Sequence, residues 1–460
     1  MKKVILVILI SGLFVSFSAA QKLLDIYKNG PVKLIAEKTY GAKNNWESIF
    51  NLYYDTLKLN KGIPELNKLL SEEYKKIIVA QDGSVFMSHK NRHEIWKFGS
   101  DGSFEKKFGS KGGKANQFPM LPSVQPIVDG KYVFTNDVHS RLKFFDLEGN
   151  YFKSITLKYM AGDFHSIGNG EIIFEGRIML KSDRYIPPGS IDGWKHKIVI
   201  LNIYTGEEKT IYVSPAVKDI SFPKSQSRDS IMKLAPEFSK IYLPNSVLFR
   251  APVITIMNDG RFMISNRENG DVKILNKSGK EINKFNLDIT PVSITEKDVM
   301  EHYETTKKVL LKTRERFFAM PDPPEDKVVG NIVTTHASYP DKKEVLARTE
   351  KALSMIDSLK NIKGYYPYLP YFSNIIVDDE GNLLVFEFTS KDQKESNIFN
   401  VIAYDNMGKK LARTSFICED YDLSFSESTF VISKGYVYAV AKLKNYKGMP
   451  LRLVKFKISN

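Results

Sequence analysis

A turn signal recurs at six places along this chain, each time between two short apolar or β-branched runs. The six dipeptides all end in glycine: Asp82-Gly83, Asp129-Gly130, Asn169-Gly170, Asp259-Gly260, Glu380-Gly381 and Lys434-Gly435. A second glycine turn follows five of them, at Gly102, Gly149, Gly206, Gly279 and Gly408. Three of these five pairs of glycines are 19 residues apart. A fixed internal period predicts a repeat architecture.

Each repeat predicts four short antiparallel strands, because residues alternate between apolar and polar and the runs end at Gly, Asn or Asp. In the first repeat the predicted strands are residues 76–80, 84–88, 94–98 and 103–108. The same order recurs around the five later turns. A ring of such four-stranded sheets is a β-propeller. The sequence therefore predicts an all-β fold, a six-bladed β-propeller formed by residues 21–460 as one domain.

The sixth repeat is one strand short. It supplies residues 429–433, 436–443 and 451–458, and then the chain ends. An unpaired strand edge invites association with other chains. Residues 32–38 form a spare strand that belongs to no repeat, so we predict that they pair with the last sheet and complete it.

The N-terminus has the pattern of a secretory signal peptide. Lys2 and Lys3 precede an apolar run over residues 4–15, and Ser18-Ala19-Ala20 is a small-residue cleavage site. The run is shorter than the roughly 20 residues of a membrane-spanning helix, and no second run is long enough. Residue 21 is Gln, so a lipoprotein cysteine is lacking. We predict cleavage after residue 20, no transmembrane segment, and a periplasmic or secreted protein.

The net charge is +14, with 67 basic and 53 acidic residues interleaved along the chain. Such a balance would suit nucleic acid, but export makes anionic glycans, lipid headgroups or cell-wall polymers the better candidates. A solvated surface rich in lysine explains the charge equally well. Cys418 is the only cysteine, so no intramolecular disulfide can form, and its apolar surroundings predict a small buried side chain.

Two stretches carry a resemblance to a known family. The first combines Ile95-Trp96-Lys97-Phe98, Gly102, Phe108-Gly109, Gly112-Gly113 and Phe118. Residues 136–145, followed by Leu-Glu-Gly, repeat its centre. The pattern resembles the NHL-repeat propellers, within the wider group of TolB-like propellers. It is most similar to the exported six-bladed propeller proteins of Bacteroidetes-type bacteria. Because those relatives mostly lack an assigned activity, the resemblance implies a fold and little chemistry.

The long connections all fall on one side of the predicted disc. In a four-stranded blade, the turns after the first and third strands lie on one face, here called the turn face. The other connections lie on the opposite face, the loop face. The long segments 39–75, 178–196, 213–250 and 290–372 all belong to the loop face. Because rigid scaffolds commonly carry function on their loops, we expect a ligand there.

The longest connection predicts a helical cap over about residues 291–362. Thr295 and Asp298 resemble a capping box, and Asp322-Pro323-Pro324 ends the first predicted helix. Pro340-Asp341 opens a second, with apolar residues on one stripe. Such helices either shape a binding site or only cover apolar blade edges.

Six residues beyond each first-turn glycine, the second strand ends at an equivalent position. These positions hold His89, Asn136, Gly176, Asn266, Glu387 and Ala441. The resemblance implies Asp or Asn there. Short polar side chains commonly bond nearby backbone groups, but they can also form a ring around a channel mouth. Asn136, Asn266 and Glu387 are weak candidates for an oxygen-ligand calcium site. Arg92, His139 and Arg267 lie beside these positions and join the candidate ligand-binding set.

Two aromatic stretches complete the candidate set. Tyr366 and Tyr368 lie just before the fifth repeat, and the pattern predicts Arg184, Tyr185 and Trp194 on the loop of the third. Rigid aromatic side chains stack well on sugars and peptides, but they also wedge structural elements together. No zinc-type histidine spacing and no Gly-x-Ser-x-Gly nucleophile motif is present in the sequence.

We therefore expect an exported, non-enzymatic binding module that takes a glycan or an envelope protein on its loop face. The alternative is a calcium-dependent hydrolase or lactonase of the propeller type. No cofactor other than calcium is suggested, and the oligomeric state is left open.

Overall fold

The computed structural model is mostly β, and the strands form antiparallel sheets. The predicted signal peptide lies outside the described residues, and no described helix is long and apolar enough to cross a membrane. The description covers residues 22–41, 76–89, 93–118, 123–136, 141–179, 194–213, 253–267, 269–319, 327–329, 332–334, 346–347, 350, 353, 368–388, 398–423, 429–445 and 451–460.

Four repeats form separate four-stranded sheets, here called units one to four. Unit one contains β2 (Ile77–Val79), β3 (Val85–His89), β4 (Glu94–Phe98) and β5 (Phe104–Phe108). Unit two contains β6 (Ser123–Val128), β7 (Tyr132–Asn136), β8 (Arg141–Asp146) and β9 (Tyr151–Thr156). Unit three contains β10 (Met160–Gly168), β11 (Glu171–Met179), β12 (Trp194–Asn202) and β13 (Glu208–Val213). Unit four contains β14 (Val253–Ile256), β15 (Phe262–Ser265), β16 (Asp271–Leu275) and β17 (Glu281–Asn286). The prediction of a mostly-β chain with four-stranded antiparallel sheets is confirmed.

The last two repeats share one nine-stranded sheet with the N-terminal strand β1 (Val32–Thr39). Unit five contains β20 (Phe372–Val377), β21 (Leu383–Glu387), β22 (Ile398–Tyr404) and β23 (Lys410–Ile417). Unit six contains β24 (Tyr421–Asp422), β25 (Phe430–Ser433), β26 (Tyr436–Leu443) and β27 (Leu451–Ser459). Strand β1 pairs antiparallel with β27 over its length. It also pairs parallel with β23 at two positions, and this second pairing joins the two units.

The first turns are tight because their residues adopt positive φ. In units two, three and six both turn residues do so, as at Asp129 (φ 52°) and Gly130 (φ 65°). Two such residues in succession define the type I′ hairpin turn, whose twist matches that of paired strands. In unit one only Gly83 has positive φ, and Asp82 Oδ1 accepts a 2.9 Å hydrogen bond from the Ser84 amide.

The core consists of apolar clusters that each lie between two successive units. Phe86 and Ile95 of unit one pack with Val133 and Phe145 of unit two, for example. Equivalent clusters join unit two to unit three, unit three to unit four, unit four to unit five and unit five to unit six. Another cluster joins unit six back to unit one, through residues that include Trp96. Successive units are therefore held together by burial of apolar surface, which is the main favourable term in folding.

The second-turn glycines explain how closely the units pack. A Cβ added to Gly149 would lie 2.7 Å from the Phe108 ring on the fourth strand of unit one. A Cβ added to Gly408 would overlap Phe285 of unit four, and a Cβ added to Gly279 would overlap the carbonyl oxygen of Ile211 of unit three. A Cβ added to Gly102 of unit one would lie 3.0 Å from the Lys38 side chain of β1. Each of these glycines thus packs against the outer strand of a neighbouring unit, and β1 is the outer strand that packs against unit one.

Helices are few among the described residues. Helix α1 (Leu23–Lys28) precedes β1, and its Leu23, Ile26 and Tyr27 are buried in the cluster between units five and six. Helix α2 (Glu296–Ala319) begins the long connection after unit four. The hairpin of β18 (Lys327–Val329) with β19 (Ile332–Thr334) follows it and was not expected from the sequence. Most of the second predicted helix lies outside the described residues.

Candidate functional site

The strand before the first turn of each unit (β2, β6, β10, β14, β20 and β25), here called its first strand, contributes residues to one cavity of about 620 Å³. Each unit contributes an apolar wall residue: Ile78, Ile127, Phe164, Ile256, Ile376 and Phe430. A cavity that touches the first strand of every unit lies at their common centre, and we call it the axial cavity. Its volume falls within the usual range for small-molecule sites.

Three polar side chains interrupt these apolar walls. They are Lys76, which immediately precedes β2, His165 on β10 and Thr255 on β14. Lys76 Nζ donates a 2.7 Å hydrogen bond to the side-chain oxygen of Gln125. His165 Nε2 and Thr255 Oγ1 are shielded from solvent and have no hydrogen-bond partner among the described residues. An unsatisfied buried polar atom costs free energy, so these two atoms lower the stability of the fold.

His165 is held in its neutral form. Burial lowers the pKa of its imidazole to about 3, and the positive charge of Lys76 acts in the same direction. At neutral pH the ring therefore carries one N–H and one bare nitrogen. It can donate or accept one hydrogen bond at Nε2 without bringing a second charge into the cavity.

This shift predicts that stability falls in acid. Below the ordinary histidine pKa of about 6.5, the unfolded chain takes up a proton at residue 165, but the folded chain does not until the pH approaches about 3. The free energy of unfolding therefore decreases from pH 7.5 to 4.5, by at most about 1.4 kcal/mol per pH unit from this group. His165→Gln should flatten that decrease in urea denaturation. Equal slopes for His165→Gln and the native chain would contradict the prediction.

At its turn-face end the cavity is bordered by residues that bond between units. Lys434 Nζ of unit six donates to the carbonyl oxygen of Gln81 in unit one. Asp379 Oδ2 of unit five accepts a 2.9 Å hydrogen bond from the Gly435 amide of unit six. Asn258 Nδ2 of unit four donates to the Asp378 carbonyl oxygen at 3.0 Å. These bonds fix the mouth of the cavity.

Asp378 anchors the N-terminal helix beside this mouth. The buried carboxylate accepts hydrogen bonds from the Asn382 side chain at 2.9 Å and from the Tyr27 hydroxyl at 3.1 Å. Burial raises the pKa of Asp378, although these hydrogen bonds oppose the shift. The Leu23 amide also donates to Glu380 Oε1, at 2.8 Å. Helix α1 is thus tied to the first turn of unit five.

Two of the candidate residues at or beside the ends of second strands form hydrogen bonds with neighbouring units. Asn136 Nδ2 donates to the carbonyl oxygen of Ala161 in unit three at 2.7 Å. Arg267 Nη2 donates to the carbonyl oxygen of Ser373 in unit five at 2.6 Å. The guanidinium of Arg267 also lies 5.6 Å from the centre of the Phe372 ring. These contacts stabilise the assembly of units.

The remaining predicted residues are not brought together by the described structure. Glu387 forms an ion pair with Arg413. The backbone amide of Asn266 donates a hydrogen bond to the backbone carbonyl oxygen of Asp271 at 2.7 Å. Tyr368 is 44% exposed and forms a bridge with Ser293 that closes the base of the long connection. The side chains of His89 and Trp194 are not described, and Arg92, His139, Arg184, Tyr185 and Tyr366 lie outside the described residues.

The pairing of Trp194 corrects the predicted boundary of one loop. The sequence predicts a loop over residues 178–196, but Ile178 pairs with Lys195 and Met179 pairs with Trp194. The β11–β12 hairpin is longer than expected because its ladder continues past the alternating residues at its centre. Trp194 is therefore a strand residue.

No group of three or more His, Cys, Asp or Glu side chains that could hold a metal ion occurs within the described ranges. The cavity residues Lys76, His165 and Thr255 were not expected from the sequence. The signal that would have found them is the presence of polar residues on or beside the first strands, which line this cavity.

No family model matches the chain, and no curated protein does. Among solved structures, it is similar to a member of the DUF4221 family from Bacteroides vulgatus, with 12% identity and a TM-score of 0.45, covering 94% of this chain and 100% of that one. A protein assigned as exported in Bacteroides fragilis has 10% identity and a TM-score of 0.40, covering 84% and 89%. Virginiamycin B lyase from Staphylococcus aureus has 11% identity and a TM-score of 0.34, covering 84% and 95%. Because these TM-scores are low, the similarities assign neither a fold nor a function.

Proposed function

We propose that the protein is an exported, closed six-bladed β-propeller that binds a small ligand in its axial cavity. The observation that carries the proposal is the lining of one cavity by the first strands of all six units. The apolar clusters between successive units, including that between the sixth and the first, support the closed ring. A concave apolar site with a few convergent polar groups is the usual form of a small-molecule site.

The contacts that two of the predicted calcium ligands make favour binding over catalysis. A calcium-dependent hydrolase needs several oxygen ligands that converge on one open site. Asn136 instead bonds to Ala161, and Glu387 pairs with Arg413. Both side chains support the scaffold, so we assign the protein a binding role.

A second binding role, for a glycan or an envelope protein, is proposed at the loop face. Tyr368 favours it, because this aromatic side chain is exposed at the base of the long connection. Exposed tyrosine rings stack well on sugar rings and peptide groups. The small-ligand site and this surface are separate proposals.

Cysteine labelling tests whether the axial cavity is open to solutes. Cys418 is buried, and burial raises the pKa of its thiol to about 11, so it reacts slowly at pH 7.5. Ile78→Cys places a thiol on the cavity wall, at a residue that is only partly buried. The control variant Thr135→Cys places one at a buried position that does not line the cavity.

Iodoacetamide is expected to modify the thiol at position 78 at least about tenfold faster than that at position 135, because reaction requires access to the thiolate. Mass spectrometry of the intact protein measures both rates, and the native chain gives the background from Cys418. Equal, slow rates at positions 78 and 135 would show a closed cavity and overturn the proposed function.

A further inference from the structure

An exposed aromatic cluster lies on the turn face, where unit two meets unit three. Phe152 on β9 is 42% exposed, and Tyr204 in the second turn of unit three is 46% exposed. Tyr132, at the start of β7, lies between them. Its ring centre is 4.5 Å from that of Phe152 and 6.4 Å from that of Tyr204. We call these three residues the aromatic platform. It belongs neither to the axial cavity nor to the loop face.

Tyr204 occupies a turn that is one residue longer than its counterparts. In the second turns of units one, two, four and five, the glycine amide donates to the carbonyl oxygen three residues earlier, as Gly149 does to Asp146. In unit three the amide of Gly206 donates instead to the carbonyl oxygen of Asn202, four residues earlier. Four units therefore close this turn without the extra residue. The fold does not require an aromatic side chain at that position.

The contacts of the platform hold its rings in place. The Tyr204 hydroxyl donates a 2.9 Å hydrogen bond to Asp129 Oδ2 of unit two. The Tyr132 and Phe152 rings are stacked with an interplanar angle of 18°, so Tyr132 covers one face of Phe152 and not the other. Lys153 Nζ donates to the Tyr204 carbonyl oxygen at 3.3 Å and lies 5.7 Å from the centre of the Phe152 ring. Rings that are already ordered lose little conformational entropy when a ligand binds.

Both an acceptor and a donor border these rings. Asp129 is half-buried, and its carboxylate can accept further hydrogen bonds besides that from Tyr204. The ammonium group of Lys153 has three N–H donors, and the bond to the Tyr204 carbonyl oxygen uses one of them. The two opposite charges together favour a neutral ligand. A pyranose ring matches this surface, because its C–H face is apolar and each of its hydroxyl groups both donates and accepts.

We propose that the aromatic platform binds a neutral carbohydrate. A pyranose ring packs its C–H face on the uncovered face of Phe152 and places its edge beside Tyr204, and its hydroxyl groups bond to Asp129 and Lys153. β-Linked sugars with equatorial hydroxyl groups suit the platform best, because they present flat C–H faces to an aromatic ring.

Isothermal titration with cellohexaose, chitohexaose, xylohexaose and mannohexaose tests the site. At least one of these neutral probes should bind. Phe152→Ala and Tyr204→Ala should each weaken that binding at least about fivefold, because each removes an aromatic contact. Tyr151→Ala is the matched control. Tyr151 is the preceding residue of β9 and is 36% exposed, but its ring packs edge-on against Phe145, at 6.0 Å, and not on the platform. This control should leave the affinity unchanged.

Thermal unfolding of the variants shows that a loss of binding does not come from a loss of folding, and the two alanine substitutions on the platform lie in different units. Absence of binding by all four neutral probes overturns the proposal. Equal weakening by Phe152→Ala and Tyr151→Ala also overturns it. Tighter binding of hexagalacturonate than of every neutral probe overturns the assignment of a neutral ligand. Self-association in analytical ultracentrifugation that Phe152→Ala abolishes would make the platform a contact between copies of the chain and overturn the carbohydrate assignment.

Discussion

Replacing Gly279 with alanine is expected to destabilise the protein by about 2–5 kcal/mol. Gly279 has a φ of 85°, and a left-handed conformation costs a residue with a Cβ about 1–2 kcal/mol. The new methyl group would also overlap the carbonyl oxygen of Ile211, on β13 of unit three. Because that neighbour is backbone, the units must move apart, and overpacking of this kind costs about 1–3 kcal/mol more.

Gly206→Ala is the matched control. Gly206 occupies the equivalent turn of unit three, with a φ of 79°, but open space surrounds the position of its absent Cβ. Only the conformational cost of about 1–2 kcal/mol applies there. Urea denaturation followed by tryptophan fluorescence measures both variants. Equal losses for the two alanines would show that unit three does not press against the turn of unit four.

Leu34→Asp is expected to cost about 4 kcal/mol or more, a size seen when an unpaired charge is forced into a core. Leu34 on β1 is only 5% exposed and packs in the cluster between units five and six. Strand β1 also covers the edge of β27. If it detaches, the exposed edge offers unpaired backbone groups to other chains. We therefore also expect association in size-exclusion chromatography and proteolytic cleavage before residue 40.

Ile35→Asp tests whether the effect comes from burial or from the strand itself. Ile35 is the next residue of β1, pairs with Lys457 of the same partner strand, and is 52% exposed. A surface substitution there should change the free energy of unfolding by less than about 1 kcal/mol. Similar losses for Leu34→Asp and Ile35→Asp would mean that β1 is not packed into the core.

Local signals were enough to position most strands. The observed β4 and β26 have the bounds expected from alternation and from the flanking turn residues. The missing fourth strand of the last repeat pointed to β1 as its partner, and β1 lies against β27. These features follow from the sequence because alternation and turn residues act within a few residues of one another.

Helix α1 and the candidate site were missed for a different reason. With six residues, α1 is too short to show a helical period, and it is held by the packing of Tyr27 and by a hydrogen bond to Asp378. The long loop-face connections also favoured a site at the ends of second strands. Asn136 and Arg267 at those ends bond to the next unit instead.

The local residue pattern specified where the chain turns and which runs become strands, because those properties depend on neighbouring residues. It did not determine which glycines tolerate a side chain, since Gly206 and Gly279 have similar turns and only the second meets a neighbouring backbone. Nor did it bring Lys76, His165 and Thr255 to one cavity. These residues belong to different sheets, and their proximity arises only when apolar clusters draw successive units around a common centre.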